Sequence, residues 1–406
     1  MDNLTHTIVG LAVGELLHRS VRPEAAAPAQ QTRRRLLLTA CACASNFPDL
    51  DLVLVKLLPA PLGYLLHHRG HTHTLLLEIP QALLLCALLW LLWPAARHLL
   101  SASAPARGAL AGTVIGGFLL HIGMDSMNSY GIHPFYPFDM RWLYGDLVFI
   151  VEPLFWLGAG VPLLMTIGRR PLRWALALLL AALLGACALA GLLHWASLVL
   201  LAAVGMAAAG AARAGPRQSL LTGLGLCLVF IGMQALGSAT ARARLVAELG
   251  RRAPSAVLVD VALTAYPANP LCWSFAAIER ARTGDTYHVR RGVLSLAPAL
   301  LPVTACPAAL TGALTTVDAQ LGLGLLSDNS ASLQALRRRA ATDCWLHAWL
   351  RFARTPLLDG ATASDLRFGT TVASNFTAID LDLFKDRACP APLPPWDLPR
   401  ADLLAP

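Results

Sequence analysis

The chain has 406 residues, of which 56% are hydrophobic and only 14% charged, and its mean hydropathy is +0.57. A soluble domain carries about 25% charged residues, so disorder, a coiled coil and an ordinary cytosolic globule all fit poorly. The formal charge of +8 rests on arginine, since Lys56 and Lys385 are the two lysines, and the arginines cluster between apolar runs. Positive-inside anchoring accounts for that clustering, which argues against nucleic acid as a partner.

Two weak apolar segments open the chain, 4–17 and 36–58, the second interrupted by Asn46, Pro48, Asp49 and Asp51. No charged leader or small-residue cleavage site marks the first as a removable signal peptide. Stretches 75–93, 109–127, 147–167, 174–212 and 220–237 reach the ~20 residues needed to cross a bilayer. The run 174–212 would be about 58 Å long as one helix at 1.5 Å per residue, so it divides near His194. The reading is about eight membrane-associated helices. Arginines follow the first, third, fifth and seventh: Arg19, Arg22 and Arg33–Arg35; Arg97 and Arg107; Arg169, Arg170 and Arg173; Arg213 and Arg217. Placing those four loops in the cytoplasm puts both termini, 45–73 and 128–146 outside. Arg69, Arg141, Arg242, Arg244, Arg251 and Arg252 pull mildly the other way.

The pattern changes near residue 239. Residues 1–238 hold 15 Lys+Arg and 10 Asp+Glu, and residues 239–406 hold 17 and 14. The expected organisation is a helical membrane domain over 1–238 and a water-soluble, extracytoplasmic α+β domain over 239–406. Alternation predicts a strand over 256–265, and 271–278 pairs with 286–296 as a hairpin around Thr283-Gly284-Asp285. Residues 332–354 have helical periodicity, 365–371 reads as a strand, and the Pro-rich 389–399 as a loop. Cys272, Cys306, Cys344 and Cys389 would permit two disulfides in an oxidising compartment, with no pairing specified by their spacing.

Ten of twelve histidines precede residue 195, and no carboxylate lies between Glu152 and Glu248. Ionisable groups inside a membrane cost at least about 2.5–3.5 kcal/mol each near the midplane, so their crowding into the first five segments marks a functional site. Asp49 and Asp51 follow Pro48 in an extended stretch, where residues two apart share a face suited to a divalent cation. A solvated Pro-Asp turn would read the same way. His67-His68-Arg69-Gly70-His71-Thr72-His73-Thr74 sets four histidines before a span, with Thr72 or Thr74 as helix N-cap. Lipid head-group binding is its bland alternative. His121 and Asp125 are an i, i+4 pair on one helix face, and Glu152 sits inside an apolar run. All these groups fall on the outer side of the topology drawn from arginines alone.

Laid out in order, Asp2-Asn-Leu-Thr5-His6, Pro48-Asp49-Leu-Asp51, His68-Arg69-Gly70-His-Thr72-His73, His121-x3-Asp125, Ser129-Tyr130-Gly131 and Glu152-Pro153-Leu154 resemble the membrane-bound metal-dependent hydrolases typified by bacterial YdjM. That family is itself distantly similar to zinc-dependent phospholipase C and P1-type nucleases. The resemblance implies His6, Asp51, His73, His121 and Asp125 as zinc ligands, with Asp49, His68 and Arg69 beside them. It favours Asp where Glu152 stands, and His71 fills a variable position. The resulting expectation is a multi-pass bacterial inner-membrane hydrolase facing the periplasm. Its substrate would be a phosphoester in a lipid or lipid-linked molecule, with Asp49 as general base and Arg69 as phosphoryl clamp. A metal carrier and a metal-stapled scaffold use the same ligands without hydrolysis.

Overall fold

The structure is a computed structural model that describes residues 1–310, 312–369 and 375–405. By packing, the chain forms two compact units. One comprises Met1–Leu50, Thr72–Met127 and Phe149–Gly232; the other comprises Asp51–His71, Asn128–Val148 and Met233–Pro406.

The first unit is helical. Helix α1 (Asn3–Ser20) is capped by Asp2, whose carboxylate accepts from Thr5 N, and it pairs with α2 (Ala27–Ala44). A 3-10 run, Phe47–Leu57, follows α2, because Pro48 removes a backbone donor and bars the preceding residue from α geometry. The short α3 (Leu62–His67) belongs to the second unit. Next come α4 (Leu75–Leu92), capped by Thr74, then α5 (Pro94–Ala102) and α6 (Ala104–Ser126). Helix α7 (Pro153–Met165) starts at a proline behind the cap residue Glu152. Helices α8 (Arg170–Leu189) and α9 (Trp195–Ala211) divide the long apolar run as expected, with His194 as the cap of α9. Helix α10 (Pro216–Arg252) then runs for 37 residues.

Among the described residues, six helices are long and apolar enough to cross a membrane, the 3-10 run being counted with α2. The expected total of about eight membrane-associated helices also included α1 and the apolar run 147–167. In that run the 13 residues of α7 are helical, starting at Pro153, whose missing N–H is no loss in a first turn, and 147–152 is irregular. Yet α7 joins the unit's two ends. Trp156 Nε1 in its first turn donates to Thr5 Oγ1 (2.8 Å), and its cap residue Thr166 accepts from Arg34 Nη2 (3.2 Å). The Arg34 end is a polar belt, in which Glu15 takes Arg19 and Arg34, and Glu24 takes Arg33 and Ser103. At the other end the starts of α1 and α7 meet the ends of α2 and α6. Glycines permit the approach: a Cβ on Gly10 would lie 2.7 Å from Ser45 Oγ, and one on Gly117 would lie 2.5 Å from Ala44 Cβ.

The second unit carries an antiparallel five-stranded sheet of order β1-β2-β3-β5-β4, from β1 (Ala256–Tyr266), β2 (Asn269–Ala281), β3 (Thr286–Ser295), β4 (Thr316–Asp318) and β5 (Leu323–Ser332). Gly284, with φ of +101°, makes the turn between β2 and β3. The expected helix over 332–354 is two, α11 (Leu333–Thr342) and α12 (Cys344–Leu350). Asp343 divides them, accepting from Trp345 N and Leu346 N as the cap of α12. A second sheet joins β6 (Pro356–Asp359), β7 (Thr362–Asp365) and β8 (Ile379–Asp380), and α13 (Ala401–Leu404) follows. The strand expected over 365–371 is displaced. Asp365 ends β7, because its carboxylate turns back onto Arg354 N, Thr355 Oγ1 and Arg367, and residues 370 and 371 lie outside the described residues. The disulfides are Cys272–Cys306 and Cys344–Cys389, and 389–399 is irregular as expected.

Candidate metal centre

In the first unit, Asp49, His73, His121 and Asp125 each offer a ligand atom within 4.8 Å of the others, and all four are buried. Local structure delivers each one. His73 closes the 3-10 turn that Thr74 caps into α4, and Asp49 lies in the first turn after Pro48. His121 and Asp125 sit one turn apart near the end of α6. His73 Nε2 lies 3.2 Å from Asp125 Oδ2 and 3.4 Å from Asp49 Oδ1, and His121 Nε2 lies 3.6 and 3.7 Å from the same two oxygens. His6, held one turn into α1, stacks on His121 at 4.2 Å and brings Nε2 to 3.2 Å from Asp125 Oδ1. The α-amino group of Met1 pairs with that carboxylate too. Asn3 Nδ2 donates to Asp49 Oδ2 at 3.0 Å, which turns Oδ1 toward the histidines.

The donor chemistry fits a cation. His121 Nδ1 is 2.8 Å from Ser45 O, and a carbonyl only accepts, so Nδ1 carries the proton. The Nε2 lone pair of a neutral ring then faces His73 Nε2 at 3.0 Å and two carboxylates. Converging lone pairs and anions in a buried pocket favour positive charge among them; the Met1 ammonium supplies some at Asp125, and a cation between the histidines and Asp49 would supply more. Imidazole and carboxylate together suit zinc and its borderline neighbours.

The other expected residues are placed differently. Asp51, His68 and Arg69 belong to the second unit. There Asp51 Oδ1 meets His68 Nδ1 at 3.0 Å, and Oδ2 accepts Arg69 N at 2.8 Å. Each Asp51 oxygen thus makes a contact with this loop. Arg69 adopts φ of +56°, donates Nη1 to Asn128 Oδ1 (2.9 Å) and lies 5.2 Å from the Tyr130 ring centroid. Burial lowers the pKa of His67, against the pull of Asp51, and lowers that of His71, so both stay neutral beside Arg69. Glu152 is buried, and its Oε1 caps α7 by accepting Leu154 N at 3.1 Å. Glu152 is not one of the four clustered ligands. Sequence reasoning passed over Glu78, buried in the first turn of α4, the helix that follows the His73 turn. A carboxylate five residues past that histidine, inside an apolar run, was the available signal. Ser45 and Asn3, which orient the centre, gave none.

Residues 1–196 match the YdjM inner membrane protein family. Every candidate ligand lies within this YdjM segment, and its apolar helices are those of an integral membrane protein. The uncharacterized protein YfhP of Bacillus subtilis (strain 168) is 25% identical over 157 residues, 39% of this chain. The chain spans 43% of the length of that relative. No solved structure matches the chain.

Proposed function

We propose that the chain is a zinc-dependent membrane hydrolase of a phosphoester in a lipid or lipid-linked substrate. The observation that carries this is the convergence of His73 and His121 Nε2 on the Asp49 and Asp125 oxygens, with the tautomer of His121 fixed by Ser45 O. His6, Asp49, His73, His121 and Asp125 would hold the metal, and Asp49 moves in this reading from general base to ligand. When bound, zinc lowers the pKa of its water toward ~7 and polarises a phosphoryl oxygen.

The remaining steps fall to the chain's own side chains. His68 is assigned the proton transfer. With Nδ1–H given to Asp51, Nε2 keeps a lone pair, as in other carboxylate-oriented histidines. Arg69 is assigned the phosphoryl oxygens, since guanidinium is always charged and presents a planar fork that ammonium lacks. Asp51 then orients His68 and fixes Arg69 N, and Glu152 supports α7. The positive-inside pattern puts the polar belt of Arg33 and Arg34 in the cytoplasm and the opposite end of the bundle outside, at the periplasmic face of a bacterial inner membrane. A substrate diffusing within the bilayer suits that position.

The test is metal analysis of the purified protein beside a hydrolysis screen on phospholipids and generic phosphodiesters, repeated for Arg69→Lys. The variant should keep its zinc and lose roughly 10²-fold in turnover, the scale for one lost oxyanion donor. Full activity with normal metal would sink the phosphoryl role. A second reading, a metal that only staples the helices, is favoured by the complete burial of His6, His73, His121 and Asp125. Bound zinc without hydrolysis of any substrate would select it.

A further inference from the structure

We infer that Trp396, brought in by the C-terminal strap, is a positioning residue for the His68–Arg69 loop; this rests on the reading that those two side chains work in the site. The loop cannot hold its own shape. Arg69 sits in the left-handed region, which costs an L-residue about 1–2 kcal/mol and persists only where surroundings over-determine it. Asp51 supplies one constraint through Arg69 N. Trp396 supplies the other from 330 residues away, its indole Nε1 donating to Leu66 O at 2.8 Å. The ring is 1% exposed and stacks on His133 at 3.8 Å with planes 16° apart. It also tilts against His71 at 4.8 Å, and a Cβ on Gly70 would come 3.2 Å from its Cζ2. The backbone on both sides of Arg69 is therefore pressed by one indole.

The strap is fastened on either side of that ring. Cys389 is bonded to Cys344, Arg351 Nη1 donates to Pro394 O and Trp396 O at 3.1 Å each, and Asp397 N donates to Met140 O at 3.1 Å. Four fixed points within nine residues, in a segment with no helix or strand, serve to present one side chain. The indole N–H at the Leu66 carbonyl holds the end of α3, which sets where His68 leaves the helix.

Hydrogen–deuterium exchange on the full-length protein in detergent tests this, read on the amides of residues 66–70. Trp396→Ala should speed their exchange by about tenfold or more, roughly the worth of one hydrogen bond, and Trp396→Phe, which keeps the stack on His133 but lacks the N–H donor, should recover only part of the protection. Trp273→Ala, the same truncation in another hydrophobic cluster, should leave these amides at wild-type rates. In the hydrolysis assay Trp396→Ala should lower kcat at unchanged KM and metal content. Wild-type exchange in Trp396→Ala, or equal loosening in Trp273→Ala, overturns the inference. The exchange readout needs neither metal nor turnover, so an absence of hydrolysis in wild type would refute the proposed function while leaving this result to stand or fall alone.

Discussion

The two ring nitrogens of His121 have separate partners, and that separation leaves Nε2 available within a cluster that could hold a metal ion. Nδ1 is committed to Ser45 O, so Nε2 can serve only as an acceptor in the neutral ring. His73→Ala and Asp125→Ala should each weaken zinc binding by at least the ~10–100-fold that loss of a supporting group costs. His194→Ala should change nothing, because that imidazole caps α9 by accepting Ala196 N. Metal stoichiometry measured on the three purified variants decides it, and normal zinc in both site variants would remove the assignment. Residue types and spacing drew attention to His73, His121 and Asp125 in the sequence, as imidazoles and a carboxylate at or inside apolar helices, while His6 entered through the family resemblance. Asp49 and Asp51 read in the sequence as a pair facing one way. Asn3 orients one, His68 and Arg69 N the other, and no spacing encodes those long-range contacts.

Helix approach governs the centre at the next scale. Gly117 lies one turn before His121 on α6, and its missing Cβ lets α2 come close enough for Ser45 O to reach the imidazole. Gly117→Val should push the helices apart, since the new atoms would fall on Ala44 Cβ and Cys41 O. Overpacking of this kind costs about 1–3 kcal/mol. Zinc affinity should fall in that variant although every ligand is intact, as a metal titration would show. Among the strands, β1 carries Asp260 into a cluster with Arg354, Arg242 and Arg400. Burial alone would raise the Asp260 carboxyl, but Arg354 and its companions bring it down from 3.8 to about 2. A depressed carboxylate stabilises the fold above its unfolded pKa and loses that contribution as pH falls through the folded value. Thermal melts should therefore lose about 2 kcal/mol between about pH 4 and pH 2, and Asp260→Asn should abolish that segment of the acid profile. An unchanged acid profile in the variant would contradict the assignment. The strands beginning at 256 and 286 were readable from alternation. The break at Asp343 and the early end of β7 were not, because both follow from side chains capping backbone.

At the scale of the whole molecule, the loop arginines argue for keeping Arg33 and Arg34 in the cytoplasm. A periplasmic reporter fused at the C-terminus should be active and a cytoplasmic one silent; the reverse would turn the reading over. Composition alone revealed the apolar spans and the more polar C-terminal part. It did not register that the apolar run 147–167 becomes helical only from Pro153 onward.

Helices α7 and α8 look alike in composition, yet α7 buries eight side chains against its neighbours and α8 buries none. Selection therefore sees them through different filters. Each position of α7 is read individually by the atoms around it, so a change of shape is felt even when oiliness is kept. Along α8, which touches α7 but buries none of its residues, average solubility in hydrocarbon weighs more than the shape of any one side chain.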